Sequence, residues 1–120
     1  MRIAPPEAPK TGYLFGKGVY FADMIGKSQH YCRAEVSRGV ATLVLCEVAC
    51  GKARLLKHHD IDADKLPKGF DSIKACGSTE PNPKISMKLD KNILVPYGEA
   101  LKLDPRAKLG ANEYVVYNTN

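Results

Sequence analysis

The sequence predicts one α+β domain, richer in strands than in helices. Three observations predict it. A length of 120 residues is at most one domain's worth of chain. With 44% hydrophobic and 26% charged residues, the composition is that of ordinary globular protein. Short β-prone runs punctuated by Gly and Pro recur along the chain, against a single helical stretch. The same composition excludes a disordered chain, which lacks the apolar surface needed to offset ordering entropy. It also excludes collagen-like and low-complexity classes. No apolar run approaches the roughly 18 residues of a membrane helix. The opening MRIAPPEAPK has no apolar core of a secretory signal.

Residues 1–18 carry Pro5, Pro6, Pro9, Gly12, Gly16 and Gly18, and prolines remove donors and fix φ, so an extended loop with turns is expected. Val19, Tyr20 and Phe21 form a short β-prone run. Asp23 is a suitable N-cap for a helix over residues 24–35. Residues 40–50, beginning VATLVLCEVA and ended by Gly51, give the strongest strand signal, and the near-continuous hydrophobicity predicts a core strand covered on both faces. From 52 to 96 the signals thin, with weaker strand patches at 54–56, 85–89 and 93–95. Asp60, Asp62 and Asp64 alternate without the Gly and Glu of a calcium loop, so a solvated loop is expected. Glu113 to Tyr117 closes the chain as a strand of aromatic and β-branched residues.

Net charge is +5, with six basic residues in each forty-residue third. Without a basic stripe, nucleic-acid binding by this chain has little support; the excess reads as solubility and modest attraction to anionic ligands. Cys32, Cys46, Cys50 and Cys76 contain no CxxC pair, so reduced intracellular thiols are expected and no metal. Cys46 and Cys50, inside the apolar run, read as small buried thiols.

Met24, Lys27, Ser28 and Tyr31 stand at i, i+3, i+4 and i+7 and so share one helix face. A core stripe would be aliphatic; this face offers a cation, a hydroxyl and a ring. A partly exposed amphipathic helix is the plainer reading on spacing alone. With Tyr20 on the entering strand, Tyr31 can instead complete a slot for a flat ring. Gly16-Lys17-Gly18 lacks the context of a phosphate loop, and a tight turn or a close backbone approach explains it equally. Glu113 is either a solvated strand end or an inward carboxylate able to hold hydroxyls or accept a proton.

The words of the sequence go further. RIAPPEAPKTGYLFGKGVYFADMIGKSQHYC at 2–32 closely resembles the donor-site segment of the poly(ADP-ribose) polymerases. NEYVVYN at 112–118 resembles that family's catalytic-glutamate strand, and LPKGFDSIKACGSTEPNP at 66–83 its LPKGxxSxKGxGxxxPxP segment. The resemblance implies the catalytic domain's C-terminal part: a split, mainly antiparallel β-core of the ADP-ribosyltransferase type with few short helices, incomplete at both ends. Its parts are a donor loop (1–18), a strand plus active-site helix (19–35), the core strand (40–50) and the catalytic-glutamate strand (112–117).

The resemblance implies transfer of ADP-ribose from NAD⁺, a substrate needing no metal, to protein acceptors and onto growing poly(ADP-ribose) chains. Glu113, Tyr20 and Lys27 are implied as catalytic. Arg2, Gly18, Tyr20, Phe21, Ala22, Ser28 and Tyr31 are implied to bind NAD⁺, with Tyr20 and Tyr31 sandwiching the nicotinamide and Ser28 holding its carboxamide. Tyr13 and Leu14 are implied on the acceptor side. A nuclear, reducing location and a DNA repair role follow from the family, with DNA reached only through other parts of the parent protein and no membrane involved. The family's His lies upstream of the RIAPPEAP segment and is absent here; Leu14 replaces a Met; the 97–112 loop is short; and the strand after NEYVVYN is missing. These departures imply a fragment with weak activity of its own. They leave open a non-catalytic remnant binding ADP-ribose, NAD⁺ or a protein partner.

Overall fold

Ile73 and Val115 sit opposite each other on neighbouring antiparallel strands, and both are fully buried. The main sheet is built outward from that pair. The computed structural model describes residues 3–33, 35–90 and 93–118. In chain order its elements are β1 (Val19–Phe21), α1 (Ile25–Gln29), β2 (Ala53–Leu56), β3 (Ser72–Ala75), β4 (Thr79–Pro81), β5 (Ser86–Asp90), β6 (Ile93–Pro96), β7 (Ala100–Lys102) and β8 (Glu113–Val116). Strand order in the main sheet is β1-β8-β3-β2, antiparallel except for the β2–β3 pair. Two antiparallel ribbons, β4–β7 and β5–β6, complete a mainly antiparallel α+β core.

Side chains alternate across a pleated strand, so register assigns each residue to a face. Val115 pairs with Tyr20 on one side and Ile73 on the other; Glu113 pairs with Ala75, and Leu56 with Ala75. All of these therefore share one face. Phe15, Ala63 and Leu109 close over it as the core. Gly18 is required by close approach: a Cβ there would overlap Val115 Cγ1 and the Val116 carbonyl. Gly16 has φ +77°, a conformation that favours glycine, and lies against Asp64.

Residues 40–50 form no strand, which corrects the strongest sequence expectation. The run joins no ladder among the described residues, with Leu45 101% exposed and Val44 74% exposed. The reason is register. β2 pairs with β3 from Ala53↔Ser72 onward, so an upstream extension would oppose the residues before Ser72. There Pro67 and Gly69, at φ +89°, turn the chain and offer no ladder. Cys46 is exposed and Cys50 half-buried, not the buried thiols expected.

The helix is also shorter than residues 24–35. Met24 occupies the N-cap in an extended conformation with no side-chain cap, because the Asp23 carboxylate is engaged by Asn112 and Tyr114 instead. Gly26 further weakens the helix interior. The Asp60–Asp64 stretch is a turn, as expected, but more than a solvated one: Ala63 is fully buried.

Candidate active site

The pleat brings Tyr20 and Glu113 onto one face as diagonal neighbours across the β1–β8 seam. After the three residues 22–24 the chain enters α1, which returns Lys27 toward the same place. Lys27 Nζ lies 2.5 Å from Glu113 Oε1. Glu113 is only 5% exposed, so the facing cation offsets much of the desolvation cost of its charge. Lys27 Nζ also lies 5.9 Å from the centroid of the Tyr31 ring.

These side chains open on one cleft of about 400 Å³. β1 and its exit contribute Tyr20, Phe21 and Ala22; α1 and the following turn contribute Lys27, Ser28 and Tyr31; β8 contributes Glu113. The fourth wall is the loop segment Gly12, Tyr13 and Leu14. Although α1 ends at Gln29, the Tyr31 N–H bonds the Ser28 carbonyl at 3.1 Å, which keeps the ring on the cleft side. Tyr31 is 75% exposed and leaves the slot open on its outer side.

The loop wall is fixed by the sheet's own tyrosines. The Tyr20 hydroxyl donates to the Gly16 carbonyl at 2.7 Å and accepts from the Phe15 N–H at 3.0 Å. The Tyr117 hydroxyl donates to the Phe15 carbonyl at 2.6 Å. Burial pushes the Tyr20 phenol up to about 12, so it remains a neutral donor. Further back, buried Lys17 donates from Nζ to the Pro5 and Pro6 carbonyls, and Lys10 pairs with Asp62 at 2.8 Å. The proline loop is thereby strapped to the 60–65 turn.

Of the residues predicted from sequence, Tyr13, Leu14, Tyr20, Phe21, Ala22, Lys27, Ser28, Tyr31 and Glu113 meet at this cleft. Gly18 lies at the β1–β8 seam, and Arg2 lies outside the described residues. The Tyr20 ring's aromatic neighbour is Tyr13, at 6.1 Å between centroids and tilted 45°. Sequence reasoning did not foresee that contact, nor the Tyr20–Phe15–Tyr117 clamp. Strand period places Tyr20 and Tyr117 on a core face, but loop geometry decides what their hydroxyls reach.

A mainly antiparallel split core, with one short helix leaning on a buried strand-end carboxylate, defines the class: a partial core of the ADP-ribosyltransferase type. Residues 1–120 match the poly(ADP-ribose) polymerase catalytic domain, and the chain belongs to that family. It is 49% identical over 119 residues to poly [ADP-ribose] polymerase 2 of Arabidopsis thaliana, covering 98% of this chain and 19% of that protein. Against poly [ADP-ribose] polymerase 2-A of Oryza sativa subsp. japonica the identity is 51% over 122 residues, covering 100% and 18%. Against poly [ADP-ribose] polymerase 1 of Xenopus laevis it is 45% over 119 residues, covering 98% and 12%. The chain therefore spans less than a fifth of the length of these curated relatives.

Proposed function

We propose that the cleft takes the nicotinamide–ribose end of NAD⁺ and that the gene product transfers ADP-ribose to protein acceptors and to ADP-ribose chains. The observation that carries this reading is the buried Glu113 carboxylate, held by Lys27 at the floor of a cleft walled by Tyr20, Ser28 and Tyr31. Breaking the nicotinamide–ribose bond develops positive charge on the ribose, as in other oxocarbenium-like transfers. A fixed, buried carboxylate stabilises that charge, most strongly at the transition state. Glu113 also accepts a hydrogen bond from a ribose hydroxyl, which orients the reacting carbon. Tyr20 and Tyr31 offer ring faces to the flat leaving group, and Ser28 offers a hydroxyl to its carboxamide. Tyr13 and Leu14, which line the same cleft, suit the acceptor side. Under this reading the location is nuclear, the setting is DNA repair, and DNA is contacted by other parts of the parent protein.

The test is transfer from labelled NAD⁺ by the whole gene product, with and without Glu113→Gln. The substitution preserves shape and removes charge, so transfer falls by about 10²–10³-fold, the scale of losing one preorganised electrostatic group. Equal transfer by both proteins overturns the reading. One observation favours binding without catalysis: Tyr31 leaves the slot open to solvent. In that case NAD⁺ or ADP-ribose binds, no label is transferred, and Glu113→Gln changes nothing.

A further inference from the structure

Behind Glu113 lies a polar network that the proposed chemistry does not use. Asn112, the residue before it, is 1% exposed. Its Oδ1 accepts from the Gly77 N–H at 2.9 Å, while its Nδ2 donates to Asp23 Oδ2 at 2.8 Å and to Glu80 Oε2 at 3.2 Å. The Tyr114 hydroxyl also donates to Asp23 Oδ2, at 3.1 Å. Glu80 pairs with Lys74 at 3.2 Å, and Lys74 Nζ stands 5.5 Å from the Tyr114 ring centroid. A carbonyl acceptor and both amide hydrogens are thus used, which is what an asparagine side chain supplies.

The position of this network matters as much as its contents. Asp23 lies one turn of chain before Lys27, and Asn112 immediately precedes Glu113. The Asp23–Asn112 bond therefore joins the entry of α1 to the entry of β8, next to both members of the Lys27–Glu113 pair. Asp23 Oδ1 is buried with no hydrogen-bond partner among the described residues, so Oδ2 carries the carboxylate's donors, Asn112 and Tyr114.

We propose that Asn112 is a positioning residue: its amide locks α1 to β8 and so sets Lys27 against Glu113 in the cleft. This rests on the role given to Glu113 above. Asn112 suits the place because two carboxylates, Asp23 and Glu80, converge on it, and an amide donates to both without adding charge. Burial pushes the Glu80 carboxyl up, but the Asn112 hydrogen bond and the Lys74 ion pair outweigh it and hold the group below its ordinary value. A third carboxylate at this point would face Asp23 and Glu80 with Lys74 as the nearby cation.

That arrangement supplies a test in the whole gene product. Asn112→Asp keeps the shape and the Gly77 contact but sets carboxylate against carboxylate. The expected result is a kcat lower by about 10²-fold, the scale of a misplacement near 1 Å, with KM for NAD⁺ little changed. Lowering the pH protonates the introduced carboxyl, restores a donor and recovers kcat; the unsubstituted protein lacks this acid recovery. The exchange variant Asp23→Asn/Asn112→Asp re-forms the donor–acceptor pair with residue 23 and recovers part of the kcat at neutral pH, the carboxylate at 112 still facing Glu80. An unchanged kcat in Asn112→Asp, or a loss that neither acid nor the exchange relieves, overturns the proposal. So does loss of the melting transition in both variants, which would make Asn112 a stability element only. The ¹³C resonance of the Glu113 side-chain carboxyl provides a second reading without NAD⁺: it moves in Asn112→Asp and returns in the exchange variant. If the unsubstituted protein transfers no ADP-ribose but the resonance follows that pattern, the functional reading fails and the positioning role stands. An unresponsive resonance sinks the positioning role whatever the activity.

Discussion

The two faces of the main sheet carry similar apolar chemistry and meet different fates. On one face Ile73, Ala75 and Val115 are 0% exposed beneath Phe15, Ala63 and Leu109. On the other, Val19, Phe21 and Val116 look toward residues 42–49 across two clefts of about 650 and 680 Å³. The segment beyond those clefts contains the most apolar run in the chain, yet Leu45 is fully exposed. Hydrophobicity states what a segment would gain by burial. Backbone pairing decides whether it can be held where burial happens, because a run without a ladder has unpaired amides that favour water. The packed face is also the one bearing Tyr20 and Glu113, so the site stands on the side of the sheet that carries the core.

The largest effect that probes this difference is a cavity on the packed face. Ile73→Ala removes a fully buried side chain whose neighbours are held by strands on both sides, so little collapse can fill the space. We expect a loss of about 2–5 kcal/mol in urea unfolding, the range for such truncations. A loss below about 1 kcal/mol, the level of an ordinary substitution, would show that the packed face is no better filled than its opposite.

A smaller loss is expected where the packed face holds the loop. Tyr20→Phe keeps the ring and removes the hydroxyl that serves Gly16 and Phe15, for about 1–2 kcal/mol. It also changes the alkaline limb. In the native state the Tyr20 phenol is pushed up to about 12 from 10.0. The unfolded chain therefore releases that proton first, and native stability falls as pH rises from about 10 toward 12. Alkaline unfolding followed by circular dichroism should show a shallower decline in Tyr20→Phe; an identical decline would detach Tyr20 from the clamp.

Three strands of the main sheet, β1, β2 and β8, were legible in the sequence; β3 between them, which carries Ile73 and Ala75, and the open face were not. Val19-Tyr20-Phe21 and Glu113–Val116 combine aromatic and β-branched residues in short alternating runs, a pattern that suits a half-buried pleat. The cleft residues followed from the family words around Tyr20 and Glu113. β3 escaped notice because Ser72-Ile73-Lys74-Ala75 has one strong strand former, and its place is fixed by β8 and β2 on either side. The helix was overextended because Asp23 fits the type of residue that caps, while only the fold reveals that Asn112, 89 residues away, takes its carboxylate. The run at 40–50 misled for the opposite reason: its local signal is strong, and its lack of a partner is a property of register.

Acid should separate the polar network behind the site, whose Lys74 and Tyr114 share the face of Phe21, from the packed face. The Glu80 carboxyl is held below its ordinary 4.5 by Asn112 and Lys74 against the push of burial. A depressed native value means the contribution is present above the unfolded value and is lost as pH falls through the native one. Melting temperature should therefore decline on acidification below about pH 4.5, and Glu80→Gln should flatten part of that decline by lowering the neutral-pH value, the two curves converging in acid. A Glu80→Gln curve parallel to that of the unsubstituted chain would show that the Asn112–Glu80–Lys74 links contribute nothing to folding.

The smallest expected effect is the sharpest for the contrast itself. Leu45→Ser puts a polar group on a side chain that water already surrounds, so the 120-residue chain should change by no more than about 0.5 kcal/mol. Amides of residues 42–48, outside any ladder, should exchange quickly in both proteins, while those of β3 and β8 stay protected. A cost above about 2 kcal/mol, with slow exchange along the segment, would mean that Leu45 is buried against something in solution. The open face would then be a second core surface, and the difference between the two faces would come from what covers them and not from how their strands pair.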